Sequence, residues 1–408
     1  MYQLKVKKKD IVNILLFFCM PILGFIYSLY NIYLSKKRTI PLLIISLFFS
    51  VILLKNPPIH DVFRYLLRFD NINSFNDIGK YTNDYFFDFI VLLFKNLAIP
   101  FQLIPVFFVF FTVYLILKSI DKLLVFYKIS STRSLVIIIF TLALINPIIV
   151  SLGLRSHLSF AFFVYGIISL ITSKKKRYYI YFVLSIITHS ASSLIVLAYF
   201  LSLILKPNIK LTVIFSTAAL ILSNFLLFFL ANTNFINIFF GSLTIYTEFD
   251  NLSGKSEKGL LYYYLNMFVR YSMLLTYFLI IRNTFKSKDP VKEKLFFFIN
   301  NLIIRSFATS MSEIAFGRYF GYSTFFITIF LIISLNNKFL KIILAIFFSY
   351  TLLVSNIYVN RNILKVNDFQ TSLYTPPVFH FLYSDKEYRK MLQNTDINGY
   401  PIQGPGAL

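Results

Sequence analysis

Long apolar runs separated by short basic loops fill most of this chain. About 20 consecutive apolar residues suffice to cross a bilayer as a helix. The pattern predicts spans at 11–34, 40–54, 101–118, 134–152, 157–173, 211–232, 260–281, 295–312, 319–335 and 339–357. A further run, 178–205, fits either one long tilted helix or two short ones.

The loops decide between these. Cytoplasmic loops of membrane proteins collect Lys and Arg. Six clusters read as cytoplasmic: 36–38, 118–133, 174–177, Lys206 with Lys210, 282–294, and Lys338 with Lys341. They hold half of the 40 lysines and arginines, with three acids, Asp121, Asp289 and Glu293. All six share one side only if 178–205 crosses twice, turning near His189 in "THSASS". Such a polar turn is tolerated where it is buried in protein or faces a watery cavity. The expected fold is therefore an all-α, polytopic integral membrane protein of about 12 transmembrane helices. The segment 85–100, "YFFDFIVLLFKNLAIP", is too short and charged to span and reads as an outer-side re-entrant or interfacial helix. Residues 1–357 form one transmembrane domain in this reading, and 358–403 an outer (periplasmic) C-terminal tail. The closing 404–408, "GPGAL", resembles an expression scar. The N-terminal "KVKKKD" falls on the outer side by the same count, unless 11–34 breaks at Pro21. No cleavable signal peptide is read there.

Composition agrees. Hydrophobic residues are 57% and charged residues 14%, against roughly 45–50% and 25% in soluble domains. Mean hydropathy is +0.71. The net charge of +23 follows from the cytoplasmic loops rather than from nucleic-acid binding. The single Cys19 excludes a disulfide framework. The four histidines form no close ligand pair, no convincing acidic metal motif appears ("FDNIN" is the nearest), and no cofactor is expected.

A charge at membrane depth is costly and usually marks a cavity, a partner or a function. Arg270, Arg305, Lys95 and Asp88 are such charges. Arg270 shares a helical face with Asn266 and Tyr277, and Arg305 with Asn301, Thr309 and Ser312/Glu313. Two such stripes imply a hydrated, electropositive interior. The plainer reading pairs each arginine with a backbone carbonyl or lets it snorkel. Lys95 can snorkel, and it shares a face with Asp88. Outer-side groups join these: Arg155 and His157 in "GLRSH", His189, and Glu313, Arg318 and Tyr319 in "EIAFGRYF". "HDVFRYLLRFD" adds His60, Asp61, Arg64, Arg68 and Asp70. That group also fits an ordinary solvated loop, and His157 also fits a helix cap. Arginine's planar fork suits phosphate oxygens. Arg155, Arg270, Arg305, Arg318 and Arg64 are thus candidate ligands of a lipid diphosphate. His189, Glu313 and Asp61 are candidate general bases.

The order of these motifs resembles the O-antigen and exopolysaccharide polymerases of the Wzy class, in particular their EpsG-like branch. The resemblance rests on a first span, "KKR", a second span, "HDVFRY", "LGLRSHLSFAFF", "KKKR", "ITHSASSLIVL" and "FGRYFGYSTFF". A glycine-rich run before the aspartate is missing, and Lys55 stands where an arginine often lies. The resemblance implies a glycosyltransferase of the bacterial inner membrane with a periplasmic active face. It would join undecaprenyl-diphosphate-linked glycans, one as donor and one as acceptor, with a chain-length regulator as a possible partner. The competing readings are a lipid-linked oligosaccharide flippase, a glycan acyltransferase and a lipid-phosphate-sugar glycosyltransferase. No related halves of the kind common in transporters are visible.

Overall fold

The computed structural model describes residues 8–35, 37–55, 61–80, 84–231, 257–284, 289–310, 313–334, 338–358, 360 and 369–380. These are helical, with no strand among them. Five stretches are long and apolar enough to cross a membrane: Leu103–Phe126, Leu154–Ser173, Tyr264–Ile281, Ala315–Ile333 and Leu340–Tyr358. Shorter apolar helices accompany them. The chain packs as two compact units, one of residues 1–189 with 348–408, the other of 190–347.

The first unit opens with a hairpin. Helix α1 (Lys8–Cys19) ends at an extended Met20, and Pro21 starts α2 (Pro21–Leu34). Proline suits a first helical position but cannot continue a helix. The two arms then run back to back. Asn13 and Ser28 exchange side-chain hydrogen bonds at 2.8 and 3.2 Å. Gly24 lies so close that a Cβ there would sit 2.5 Å from the Phe17 backbone. Both pairs step outward from the bend by equal numbers of residues, so the arms are antiparallel. At 1.5 Å per residue the arms reach only about 18 and 21 Å, short of the roughly 30 Å core. The apolar run 11–34 is therefore two short helices, and Lys8 and Lys9 return to the end that carries Lys37 and Arg38. Of the two alternatives the sequence left open, the break at Pro21 is the one the structure has.

Helices α3 (Thr39–Ile52), α4 (Asp61–Asn71), α5 (Tyr85–Asn96) and α6 (Leu103–Phe126) follow. Next come α7 (Ser131–Ile145), α8 (Pro147–Leu152), α9 (Leu154–Ser173) and α10 (Ile180–Thr188). The predicted span 134–152 is broken at Asn146. That residue takes a left-handed φ of +48°, caps α8 through the Ile149 amide, and precedes Pro147. Proline disfavours helical backbone in the residue before it, which explains the stop. At 12 residues, α5 is too short to span, as its sequence suggests.

Ions lock the basic end of α3, α6 and α7. Arg38 pairs with Asp121 at 3.1 Å and donates to Ser134 at 3.0 Å, while Lys118 reaches Asp121 at 3.2 Å. Arg38 and Asp121 are both buried. Late in the chain, the π-helical Tyr350–Tyr358 returns to this unit. There the Asn356 amide donates to the Ala143 carbonyl at 3.0 Å.

The second unit holds α11 (Ser193–Ile204), α12 (Ile209–Ala231), α13 (Glu257–Thr284), α14 (Pro290–Ala308), α15 (Glu313–Ser334) and the start of α16 (Lys338–Ser349). Its core carries a polar chain. Tyr277 is fully buried and donates to Asn300 at 2.9 Å, and Asn300 donates to the Pro207 carbonyl at 2.8 Å. Asn301 caps α11 by donating to the Leu205 carbonyl at 3.0 Å. Two residues of the expected polar stripes thus serve helix–helix joints.

Candidate functional site

In the first unit, four helices bring opposite charges to one buried point. The amphipathic α4 buries Val62, Tyr65, Leu66, Arg68 and Phe69. This face therefore carries Arg68 inward and leaves Asp61 and Arg64 outside, paired with each other at 3.5 Å. Helix α5 lies against α4 and is fixed to it at two points, seven residues apart. Arg68 meets the fully buried Asp88 at 2.6 Å. Lys95 donates to the Phe69 and Asp70 carbonyls at 3.1 and 2.8 Å, and to Asn73 at 2.7 Å. A cation at a helix C-terminus is favoured by the exposed carbonyls and the helix dipole. Lys95 thus caps α4. The second Asp88 oxygen accepts from the Gly79 amide at 2.9 Å. Gly79 has φ +83°, a conformation that glycine adopts without strain. The loop before it is held by Asp77, which accepts from Lys80 and from the Asn73 and Ser74 amides. These bonds, Lys80's first, hold the Asp77 carboxyl well below the usual carboxylate range.

Asp84, just ahead of α5, is the centre of the cluster. Its carboxylate is almost wholly buried. One oxygen lies 3.2 Å from His189 Nδ1. The other pairs with the Arg155 guanidinium, and Arg68 stands 3.8 Å from it. Arg155 also donates Nε–H to the Tyr65 hydroxyl at 3.0 Å and lies 4.9 Å from the centre of that ring. The Tyr65 ring contacts Phe87, over which Arg68 lies. His189 holds its place because α10 ends there. Its backbone is extended, between α10 and a 3-10 turn, Ser190–Ser192. The break in 178–205 thus falls on the residue the sequence marked. His157 turns a ring N–H back to the Gly153 carbonyl at 2.7 Å, which is a local, cap-like role.

The second unit carries its own cationic face. Arg270 on α13 donates to the Gly317 carbonyl of α15 at 2.7 Å. That contact matches the plainer reading of Arg270 as a carbonyl partner. Beside it, a Cβ built on Gly317 would meet nothing within 4 Å, and one on Gly321 would touch the guanidinium at 3.6 Å. The helix face next to Arg270 therefore opens onto space. Arg305 and Arg318 are half-buried on α14 and α15. The Tyr319 hydroxyl, one residue beyond Arg318, donates to the Ala191 carbonyl at 2.9 Å.

The structure therefore joins Arg155 and His189 through Asp84, a residue the sequence reading passed over. Asp61 and Arg64 lie together on the exposed side of α4. The side chain of Glu313, like Ser312, His60 and the side chain of His380, lies outside the described residues.

These features define an integral membrane protein with a buried acid–histidine–arginine cluster at a helix break. Residues 37–376 match the model of the EpsG family, and the chain belongs to that family of polysaccharide polymerases. No curated protein and no solved structure matches the chain.

Proposed function

We propose that this chain polymerises lipid-linked oligosaccharide repeats on the outer face of the bacterial inner membrane. The donor and acceptor are undecaprenyl-diphosphate-linked glycans. The hydroxyl oxygen of the acceptor sugar attacks the anomeric carbon of the donor. The bond from that carbon to the diphosphate oxygen breaks, and its electron pair leaves with undecaprenyl diphosphate. The acceptor proton passes to His189. Histidine is the side chain most often used as a general base. Arg155 stabilises the negative charge that builds on the leaving diphosphate. In the other unit, Arg270, Arg305 and Arg318 are phosphate ligands in their own right.

The observation that carries this reading is the His189–Asp84–Arg155 cluster in a chain of the EpsG family. An imidazole nitrogen and a guanidinium fork meet there on one buried carboxylate. The test is a gene deletion in the native host, complemented with wild type or His189→Ala at matched abundance. Surface polysaccharide is then resolved on a gel. Wild type should restore the ladder and His189→Ala should leave single repeats. A normal ladder from His189→Ala removes the base role and passes it to Asp61 or Glu313. If the deletion leaves no surface repeats while lipid-linked repeats collect inside, the chain is a flippase.

A further inference from the structure

We infer that Asp84 is the positioning residue of this site, fixing the tautomer of His189 and the aim of Arg155 at once; this rests on His189 acting as the base. An ionised carboxylate can only accept hydrogen bonds. The ring nitrogen 3.2 Å from it, Nδ1, therefore carries the hydrogen, and the basic lone pair belongs to Nε2. A histidine's working nitrogen is set in this way by the bond its other nitrogen makes. When Nε2 takes the acceptor proton, the new positive charge forms beside a carboxylate already in place. The other Asp84 oxygen holds Arg155. One side chain thereby sets both the nitrogen that removes the proton and the fork that receives the phosphate charge. Burial makes this anchoring rigid, since Asp84 is 3% exposed.

Other charged and titratable groups surround the pair. Arg155 comes from α9, Arg68 and Tyr65 from α4, and Asp88 from α5. Asp84→Asn removes the negative charge and leaves these cations in place. It should push the rate-against-pH limb of His189 to lower pH. It should also cut the plateau rate by at least about 10–100-fold, the scale known for partners that orient metal-bound histidines.

Four histidines make a direct reading feasible. The full-length protein is labelled with ¹⁵N-histidine in detergent, and His189→Ala assigns the signal. Wild type should show the proton on Nδ1, and Asp84→Asn should move it toward Nε2. A wild-type proton on Nε2, or a tautomer unchanged by Asp84→Asn, overturns the inference and leaves the polymerase reading standing. A wild-type polymerisation rate from His189→Ala overturns the base role and with it Asp84's part in the reaction. If Asp84→Asn does not accumulate as folded protein, the wild-type spectrum alone decides.

Discussion

Arg155 is gripped by Tyr65 twice, through an Nε–H bond of 3.0 Å to the hydroxyl and by stacking 4.9 Å from the ring centre. A lysine keeps the charge there but lacks the planar fork whose separate nitrogens reach Tyr65 and Asp84. Arg155→Lys should therefore fold and reach the membrane while polymerising at least about tenfold more slowly, about 1.4 kcal/mol. Tyr65→Phe, which removes only the hydroxyl, should have a smaller effect. Initial rates with purified protein and a lipid-linked repeat would rank the two, and equal rates for Arg155→Lys and wild type would show that the fork is not used.

Arg270 offers a second, independent test. Arg270→Ala should lower polymer yield by about 10²–10³ if the guanidinium stabilises diphosphate charge. If Arg270→Ala and Arg305→Ala are both active at normal abundance, the phosphate role of that face is wrong. The open space at Gly317 gives a steric control. Gly317→Ala should fold normally, because its Cβ meets nothing within 4 Å. Gly317→Leu should also fold yet lose polymerisation if a substrate uses that space.

The Arg38–Asp121 pair is expected to act on stability alone. Removing one member of a buried pair strands the other charge, at about 3–5 kcal/mol. Asp121→Ala should shift thermal unfolding in detergent sharply downward. The double variant Arg38→Met, Asp121→Leu should recover much of the loss, because neither charge then remains buried. A double variant as unstable as Asp121→Ala would assign the loss to packing.

The N-terminal hairpin predicts which side its ends face. Cys19 is the sole cysteine, so a Cys19→Ser background is clean. Cysteines placed at Lys9 and Lys37 should both react with an impermeant maleimide from the same face of the membrane. Labelling from opposite faces would mean that this stretch crosses.

Acid should spare the Asp77 loop. Its carboxyl is depressed in the folded state by Lys80 and the neighbouring amides. That stabilisation is complete above the ordinary carboxylate range and is lost only as pH falls through the lower, folded value. Hydrogen exchange at the Asn73 and Ser74 amides, which donate to Asp77, should thus keep its protection, after correction for intrinsic rate, from pH 7 to about 5. Asp77→Asn should weaken that protection at both ends.

The breaks were the legible part. Counting basic loops demands a turn inside 178–205, and the chain breaks at His189 because the polar "THSASS" interrupts two short apolar helices. Arg155 stands out because a cation opens the long apolar helix α9. Asp84 gives no such sign. It is one acid in a short polar loop, and its meaning comes from a contact with a residue 105 positions away. Arg68 was legible in principle, since it shares the apolar face of α4 with Tyr65 and Phe69 while Arg64 does not. The break at Asn146 depends on a left-handed residue, which hydropathy does not report. Pro21 marked the hairpin bend, but only the Asn13–Ser28 and Phe17–Gly24 contacts show that the arms double back.

Arg38 and Asp121 are 83 positions apart. At about 5–20 residues per second, the ribosome makes Arg38 roughly 4–17 seconds before its partner. For that interval the guanidinium lacks the acid it pairs with in the finished fold. The Arg38 joint of α3, α6 and α7 therefore closes only after α6 and the start of α7 have been made.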